Sequence, residues 1–458
     1  MSKQPSVSKS QAVGPGRRIA IFSHTHPSIS KGGAEIAAHT LFEGMKGLGL
    51  DPLFIAACAE QDRGRLMLGS GLERALIYQP QVYDHFYQLG SPALAGQLAR
   101  ILDEEGVGLV NFHHFMNIGI GSIGRGLGLL PSGRPVAKVL TLHEFLPICQ
   151  HHGQMVTRPA RLLCEAASPQ ACAACFPEHT AQKFIQRRQG FMQAFETMAG
   201  FISPSAFLAG RFADWGLDAS RIRVIENGLP HAPRLAAGET RREPPWTIGY
   251  FGQINPFKGV DTLLEAAEAI AEKPELARRI RLRIHGNVIG QGEAFTQRFT
   301  GLVEKYPFLT YSGPYNNASV HRLMSACDYV LVPSNWWENS PIVIQEAYGA
   351  GRPVICSGIG GMAEKIIDGV SGLHFRVGDA NHLAETIERA ADPEMWATLR
   401  AGVPAVSDAL RMAREYLLAY EAFVGAKAVG GSSEKQSSVA DVRPRDAFTA
   451  PIAGLGRT

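Results

Sequence analysis

Two acidic residues, Glu338 and Glu346, lie on either side of a short apolar run in the segment ENSPIVIQE. A carboxylate can accept hydrogen bonds from two vicinal hydroxyls, as a sugar presents them. The pair therefore predicts a site where one glutamate binds a ribose and the other a hexose, with a diphosphate between them. The alternative is a solvated loop charge at Glu338 and a surface helix residue at Glu346.

The same segment predicts a helix with well-marked ends. Ser340 is suited to the N-cap and Pro341 to the first helical position, while Gly349 or Gly351 can end the helix. Backbone amides at a helix N-terminus bind anions. We therefore expect the diphosphate to lie at the start of this helix.

A lysine and a group of glycines follow two other apolar runs of the second half. Lys258 comes after WTIGYFG, where an ammonium can neutralise a departing diphosphate. Gly358, Gly360 and Gly361 come after PVICS, and glycine lets the backbone approach a ligand closely. A solvated lysine and a plain turn are the alternatives.

The first half offers weaker candidates. Gly32 and Gly33 follow the run RIAIFSH and open a helical pattern, although a flexible turn explains them equally well. His143 ends the run PVAKVLTLH, where its imidazole can donate to a sugar hydroxyl; a core histidine is the alternative. His113 and His114 also fall near a strand end, without a comparable reason to assign them.

Cysteines cluster in the segment 145–180, which reads as an insertion. Four thiols there can build a structural zinc site, and His151 or His152 can replace one of them. Reduced thiols in an ordinary loop are the alternative. The four candidate ligands are Cys149, Cys164, Cys172 and Cys175.

Short apolar runs alternate with longer helical patterns, which predicts two doubly wound α/β domains with parallel sheets. The eight predicted strands are RIAIFSH, PLFIAA, GLVNFHH, PVAKVLTLH, WTIGYFG, IRLRIHG, DYVLVPS and PVICSG. The domains should meet near 229–245, where Pro, Gly and charge replace the apolar pattern. Ligands bind at the carboxyl ends of such strands, where the candidate residues lie. Polar segments 1–16 and 427–458 read as disordered tails.

Composition narrows the function classes. The chain has 458 residues, 45% apolar, which is enough for two cores. A net charge of +3 without a basic block argues against nucleic acid as a partner. Neither a membrane span nor a signal peptide is visible, so we expect a cytoplasmic protein. Lys183, Arg187 and Arg188 predict an amphipathic helix; a peripheral membrane contact or a polyanionic acceptor surface is the alternative.

Several ordered motifs together resemble the retaining glycosyltransferases of family four, which have the GT-B fold of two Rossmann-like domains facing a central cleft. They are GQINPFKG at 252–259, the Glu-x7-Glu segment 338–346, GAGRPVICSGIGGMAE and DGVSGLHF, and the resemblance extends from about residue 17 to 425. It implies that Glu346 holds the ribose, Glu338 the donor sugar and Lys258 the diphosphate. It also implies that His143 belongs to a His-Glu pair lining the cleft.

The resemblance further implies catalytic roles for His143, Lys258 and Glu338, with no cofactor required. The residues it places at the donor are Gly32, Gly33, Gln253, Lys258, Glu338, Asn339, Ser340, Pro341, Glu346, Gly360 and Gly361. Gln253 departs from the family's usual arginine and supplies no positive charge.

The implied layout is an acceptor-side domain at 17–235, a nucleotide-sugar domain at 240–405 and a helix at 406–426 that returns to the first domain. The predicted function is transfer of a sugar from a nucleotide-diphosphate sugar to a glycan, lipid-linked or small-molecule acceptor, in polysaccharide or glycoconjugate biosynthesis. The alternatives are a nucleotide-sugar epimerase of the same fold, a phosphorylase-like enzyme and a catalytically degenerate scaffold subunit.

Overall fold

The computed structural model describes residues 18–30, 32–80, 84–230 and 243–429, with the side chains of 426–429 left out. It contains two entirely parallel sheets, of seven strands in the order β3-β2-β1-β4-β5-β6-β7 and of six in the order β10-β9-β8-β11-β12-β13. The prediction of two doubly wound α/β domains is confirmed. The predicted tail 1–16 and residues 430–458 of the predicted tail 427–458 lie outside the described residues, whereas 427–429 continue the last helix.

The first domain places helices between the strands of the seven-stranded sheet. Its strands are β1 Arg18–Ser23, β2 Leu53–Ala59, β3 Glu73–Tyr78, β4 Val107–Phe112, β5 Ala137–Thr141, β6 Gly200–Ser203 and β7 Ile222–Val224. Its helices are α1 Gly33–Gly47, α2 Pro92–Glu104, α3 Ile120–Ile123, α4 Pro169–Cys175, α5 Ala181–Glu196 and α6 Ala206–Asp214.

The second domain repeats the arrangement. Its strands are β8 Trp246–Phe251, β9 Ile280–His285, β10 Leu309–Tyr311, β11 Tyr329–Val332, β12 Val354–Ser357 and β13 Gly372–Phe375. Its helices are α7 Val260–Ala271, α8 Pro274–Arg279, α9 Glu293–Lys305, α10 Val320–Ser325, α11 Ile342–Gly349, α12 Gly360–Lys365, α13 Ala380–Ala390 and α14 Pro393–Ala401, followed by α15 Ala409–Val429.

Burial explains which strands the sequence reveals. All eight predicted strands are present, and central ones such as β2, β4 and β8 are buried along their whole length because helices cover both faces of each sheet. The remaining strands are short or lie at the sheet edges; β7 and β10, for example, have three residues each, two of them exposed. Such strands lack the continuous apolar run that predicts a buried one.

The long helix α15 packs on the first domain, although it follows the second in sequence. Its residues Tyr416 and Tyr420 are fully buried in the core formed with β1, β2 and α1. Gly44 of α1 permits this packing, because a Cβ there would lie 2.1 Å from the carbonyl oxygen of Ala409.

Two chain crossings connect the domains, and they lie side by side. The amide of Leu229 donates to the carbonyl of Ser407 at 2.9 Å, and Leu229 forms a parallel bridge with Asp408. Gly228 allows this approach, since a Cβ there would lie 2.5 Å from the Asp408 carbonyl oxygen.

Helix α5 shows that Arg187 does not belong to a surface patch. Its side chain is 2% exposed and donates to the carbonyls of Phe86 at 2.9 Å, Leu146 at 2.5 Å and Pro147. The helix buries Phe184 and Phe191 on the same face, as the amphipathic interpretation predicts. The basic-surface alternative is therefore wrong for Arg187. Within the described part of the chain, no helix has the length and apolar character needed to cross a membrane.

Candidate active site at the cleft between the domains

The carboxyl end of β11 leads into the segment with the two glutamates. Helix α11 begins at Ile342, and Pro341 is its N-cap with ψ of 117°. The prediction of Ser340 as N-cap and Pro341 as first helical residue is therefore wrong by one position, because Pro341 keeps an extended ψ. The helix ends at Gly349, and Gly351 follows with φ of +65°.

Glu338 is the most strongly held side chain of this segment. It is 8% exposed, and its Oε1 atom accepts from Lys258 Nζ at 2.6 Å, Ser334 Oγ at 2.7 Å and Trp336 Nε1 at 2.9 Å. Burial by itself would raise the pKa of Glu338, but the Lys258 ammonium and these hydrogen bonds hold the pKa below its ordinary value. The carboxylate is ionised at neutral pH, and no described residue donates a hydrogen bond to its Oε2 atom.

Lys258 reaches Glu338 because the loop before α7 packs closely on the loop after β11. Gly259 has φ of +71°, and a Cβ there would lie 1.8 Å from the carbonyl oxygen of Pro333. The sequence predicts Lys258 and Glu338 as separate contacts to the donor, whereas the structure pairs them directly. The lysine also lies 5.5 Å from the centre of the Trp336 ring.

Glu346 has a different electrostatic environment. Burial raises the pKa of Glu346 to about 7, and a hydrogen bond from Asn317 Nδ2 at 3.5 Å opposes that rise weakly. The carboxyl group is therefore close to half ionised at neutral pH. The sequence did not point to Asn317, because it lies in a short 3-10 helix without a motif.

Gly360 and Gly361 hold the loop that carries Glu338. The amide of Gly361 donates to the carbonyl of Glu338 at 2.8 Å, and a Cβ at Gly361 would lie 2.1 Å from the carbonyl oxygen of Asn339. Gly360 has φ of +57°. These glycines permit a close approach to the Glu338 loop, whereas the sequence suggested a close approach to the ligand itself.

The same loop contains buried polar atoms without partners. Asn339 Oδ1 and Ser340 Oγ have no hydrogen-bond partner among the described residues. Buried polar atoms in folded proteins are usually paired, so these two are candidates for contact with a ligand. Gln253 is exposed, and its Oε1 accepts from Asn255 Nδ2 at 3.3 Å.

The first domain contributes a group of histidines from three adjacent strands. His24 follows β1, His113 and His114 follow β4, and His143 follows β5. His113 Nδ1 lies 2.9 Å from His143 Nε2, and His114 Nε2 lies 2.8 Å from the Glu144 carboxylate. The sequence singled out His143 alone, since only the strand order brings the others beside it.

His24, His113 and His143 are neutral near pH 7. Burial lowers the pKa of His113 to about 3. It also lowers the pKa values of His24 and His143, and the neighbouring imidazoles lower them further. This side of the site therefore offers neutral donors and acceptors to hydroxyl groups.

The two predicted glycines at α1 differ in their surroundings. Gly32 is the N-cap of α1, and a Cβ there would lie 2.5 Å from a carboxylate oxygen of Glu35. Gly33 has nothing within 4 Å of an added Cβ. Glu35 in turn lies 3.6 Å from His24, so Gly32 makes room for a partner of the histidine group.

Contacts across the cleft bring the two half-sites together. Asn339 Nδ2 donates to the carbonyl of His143 at 2.9 Å, and Trp337 Nε1 donates to the carbonyl of Cys164 at 3.1 Å. The structure thus places His143, Asn339, Glu338 and Lys258 along one cleft.

The cysteines of the insertion are free thiols with two kinds of surroundings. Cys149 and Cys164 pack against the main first-domain core, whereas Cys172 and Cys175 pack against a small aromatic cluster. Burial and the neighbouring thiols raise the pKa of Cys172 to about 11. Across the described ranges, no three His, Cys, Asp or Glu side chains form a group that could hold a metal ion. Structural zinc at these thiols stays a prediction.

Comparison with known proteins agrees with this architecture. Residues 31–232 match the family model described as Glycosyltransferase Family 4, and residues 233–400 match the one described as Glycosyl transferases group 1. Among solved structures, Anabaena HepE in complex with UDP has a TM-score of 0.61 at 16% identity, covering 88% of this chain and 100% of that one. Sucrose-phosphate synthase from Thermosynechococcus elongatus has a TM-score of 0.63 at 21% identity, covering 90% and 100%. At these identities the likeness shows the fold.

Curated relatives are similar over part of their length. The D-inositol 3-phosphate glycosyltransferase of Stackebrandtia nassauensis is 34% identical over 164 residues, which is 34% of this chain and 36% of that protein. The Salinispora arenicola protein of the same name is 27% identical over 271 residues, or 55% and 59%. The chain thus spans roughly a third to three fifths of these relatives. With the two family models adjoining at residues 232 and 233, the chain belongs to the glycosyltransferases of family four with the GT-B fold.

Proposed function

We propose that the protein transfers a glycosyl group, with retention of configuration, from a nucleotide-diphosphate sugar to an acceptor hydroxyl. The observation that carries this proposal is the Glu338 carboxylate. Three donors hold its Oε1 atom, Oε2 remains for a ligand, and Lys258 and the start of α11 lie beside it. A carboxylate that can accept from hydroxyls, beside a lysine and a helix start that can bind phosphate, suits a sugar joined to a diphosphate better than a sugar or a diphosphate alone.

Each part of the site has a role in this reaction. The amides at the start of α11 and the Lys258 ammonium bind the diphosphate and stabilise the negative charge that grows as the bond to the anomeric carbon breaks. Glu338 Oε2 accepts from a sugar hydroxyl, and Glu346 accepts from the ribose. Asn339 and Ser340 supply the buried polar atoms that lack partners. His143 faces the sugar from the first domain.

The nucleotide and the acceptor belong to the proposal as well. Structural neighbours are described in complex with UDP, with UDP and glucose, and with UDP-glucose, which favours a uridine nucleotide. The names of the curated relatives favour an inositol phosphate or a similar small acceptor. A glycan or lipid-linked acceptor, a role in polysaccharide or glycoconjugate biosynthesis and a cytoplasmic location are further parts of the proposal.

Ligand binding followed by product analysis tests the proposal. Thermal shifts with UDP, GDP, ADP and their sugars identify the donor, because a ligand that binds the folded state raises Tm. Incubation with inositol phosphate, oligosaccharide or lipid-linked acceptors should then give a new glycoside with the donor's anomeric configuration. An epimerised donor without a glycoside would favour the epimerase alternative.

The Glu338→Gln variant links the result to the site. It should bind UDP nearly as well as the wild type and lose most transfer activity. Glu388→Gln is the control, because Glu388 is an exposed carboxylate paired with Lys273 on the same domain. A correctly folded protein whose Tm does not respond to any nucleotide would contradict the proposal.

A further inference from the structure

His113 lies between the cleft histidine and the returning helix α15. Its Nδ1 atom is 2.9 Å from Nε2 of His143, and its Nε2 atom is 3.4 Å from the amide nitrogen of Asn111. His113 and Asn111 are fully buried, whereas His143 is partly exposed. The three side chains therefore form a line of contacts from the interior of the first domain to the cleft.

The structure places the amide nitrogen of Asn111 toward Tyr420 and His113, and its oxygen toward Thr141. The nitrogen donates to the hydroxyl of Tyr420 at 2.7 Å, and the oxygen accepts from the hydroxyl of Thr141 at 3.0 Å. Tyr420 belongs to α15 and is fully buried. Tyr416, one turn earlier on the same helix, stacks on the His113 ring with planes 8° apart. Helix α15 thus fixes both Asn111 and His113.

Donor and acceptor roles then follow along the line. A neutral imidazole has one N–H donor and one bare nitrogen acceptor, and an amide nitrogen can only donate. With the amide nitrogen placed toward His113, His113 Nε2 accepts from Asn111, so that His113 carries its proton on Nδ1. That N–H donates to Nε2 of His143, which leaves the proton of His143 on Nδ1. Among the hydrogen bonds found between described residues, none uses His143 Nδ1.

We propose that Asn111 and His113, held by Tyr420 of α15, are positioning residues that keep His143 in the Nδ1–H tautomer. His143 then presents an N–H donor, and not a bare acceptor nitrogen, to an oxygen of the donor sugar in the cleft. This inference rests on the proposed function for the identity of the ligand. The tautomer itself depends on the protein alone.

Nitrogen NMR of the unliganded, fully folded protein measures the tautomer directly. With 15N-labelled histidine, His143 should show a pyrrole-type Nδ1 and a pyridine-type Nε2, and His113 should show the same. The signals are assigned by their loss in His143→Gln and His113→Gln. A wild-type His143 protonated on Nε2 would overturn the proposal, because Asn111 would then present its oxygen to His113.

The Asn111→Asp variant should reverse the tautomers while keeping the side-chain shape. An aspartate accepts from His113 Nε2, so that His113 Nδ1 becomes an acceptor and His143 donates through Nε2. We expect kcat/KM for transfer to fall about tenfold, since one hydrogen bond to the sugar is lost. The thermal shift with UDP alone should not change, because the second domain binds the nucleotide.

A second variant covers the case in which Asn111→Asp does not fold. Tyr420→Phe removes the hydroxyl that orients the amide and should give a mixture of His143 tautomers. Tyr329→Phe is the matched control, because this buried tyrosine donates to Ala390 in the second domain, away from the cleft. It should leave tautomers and transfer unchanged. A single unaltered tautomer in Tyr420→Phe would overturn the role of α15.

The two proposals fail in different ways. If His143 has the expected tautomer and no nucleotide sugar binds, the proposed function is wrong and the structural part of this inference holds. If transfer is observed and reversing the tautomer leaves kcat/KM unchanged, the positioning role is wrong and the proposed function holds.

Discussion

The second domain lines its side of the cleft with Lys258, Glu338 and Glu346. The first domain presents the partly exposed His143, with the buried His24, His113 and His114 packed around it. Lys258 and Glu338 form a partly buried ion pair, and Glu346 titrates near neutral pH. Burial keeps His24, His113 and His143 neutral. Charge is thus placed where a diphosphate and a ribose would bind, and these three imidazoles on the opposite side offer hydrogen bonds without a positive charge. A neutral surface there avoids competing with Lys258 for the phosphates.

Removing the lysine tests the charged side and should have the largest effect. Lys258→Ala should lower kcat by about 10²–10³-fold, roughly 3–4 kcal/mol in transition-state stabilisation, because the leaving diphosphate loses its counter-charge. Steady-state transfer kinetics measure this loss. Lys273→Ala, an exposed lysine paired with Glu388, should retain wild-type kinetics. If kcat of Lys258→Ala falls less than threefold, the charge of Lys258 does not stabilise the leaving diphosphate as proposed.

Arg187→Met tests how much the buried hydrogen bonds of Arg187 stabilise the first-domain side of the cleft. The variant leaves three buried carbonyls without their donor, including those of Leu146 and Pro147 just after His143. We expect a loss of about 3 kcal/mol in the free energy of unfolding, which differential scanning calorimetry should register as a lower Tm.

The neighbouring arginine provides the control for this loss. Arg188→Met removes hydrogen bonds to the carbonyl of Trp215 from an exposed side chain and should cost less than about 1 kcal/mol. Equal losses in the two variants would mean that Arg187 does not support the histidine side.

Glu346→Gln should have the smallest effect on stability and a clear dependence on pH. The folded protein holds the Glu346 proton up to about pH 7, above the ordinary carboxyl value, so the free energy of unfolding decreases as pH rises toward 7. Glutamine does not ionise, so the free energy of unfolding of the variant does not decrease in this way. The variant should therefore melt roughly 2–4 °C higher than the wild type at pH 8 and at the same temperature near pH 4.

Nucleotide binding should show the opposite pH dependence in the wild type. Affinity for UDP should rise between pH 6 and pH 8 as Glu346 ionises and accepts the ribose hydroxyls, whereas Glu346→Gln should bind weakly at every pH. Isothermal titration calorimetry measures both. If the affinity of the wild type for UDP does not change between pH 6 and pH 8, the ionisation of Glu346 does not contribute to nucleotide binding.

The sequence revealed the charged side better than the neutral one, for a physical reason. Glu338 and Glu346 share one segment with the start of a helix, so their neighbours are visible in the sequence. His24, His113 and His143 come from separate strands, and only the order β1-β4-β5 makes them neighbours. The order of strands in a sheet cannot be read from the hydrophobic periodicity of the sequence.

Local details were harder to predict than the fold. Pro341 has a helical φ, but its extended ψ moves the helix start to Ile342. Arg187 lies three residues after Phe184 and four before Phe191, which places it on the buried face of α5. That spacing was visible in the sequence, although charge alone suggested an exposed position.

The paired crossings at Leu229 and Asp408 constrain the mechanics of the whole molecule. A single flexible linker would leave a domain free to rotate about three axes. Two adjacent chain segments joined by a hydrogen bond resist twisting and separation. The remaining soft motion is a rotation about the line through both segments. We therefore expect opening and closing of the cleft to follow one hinge axis, so that the same side chains meet each time the domains close.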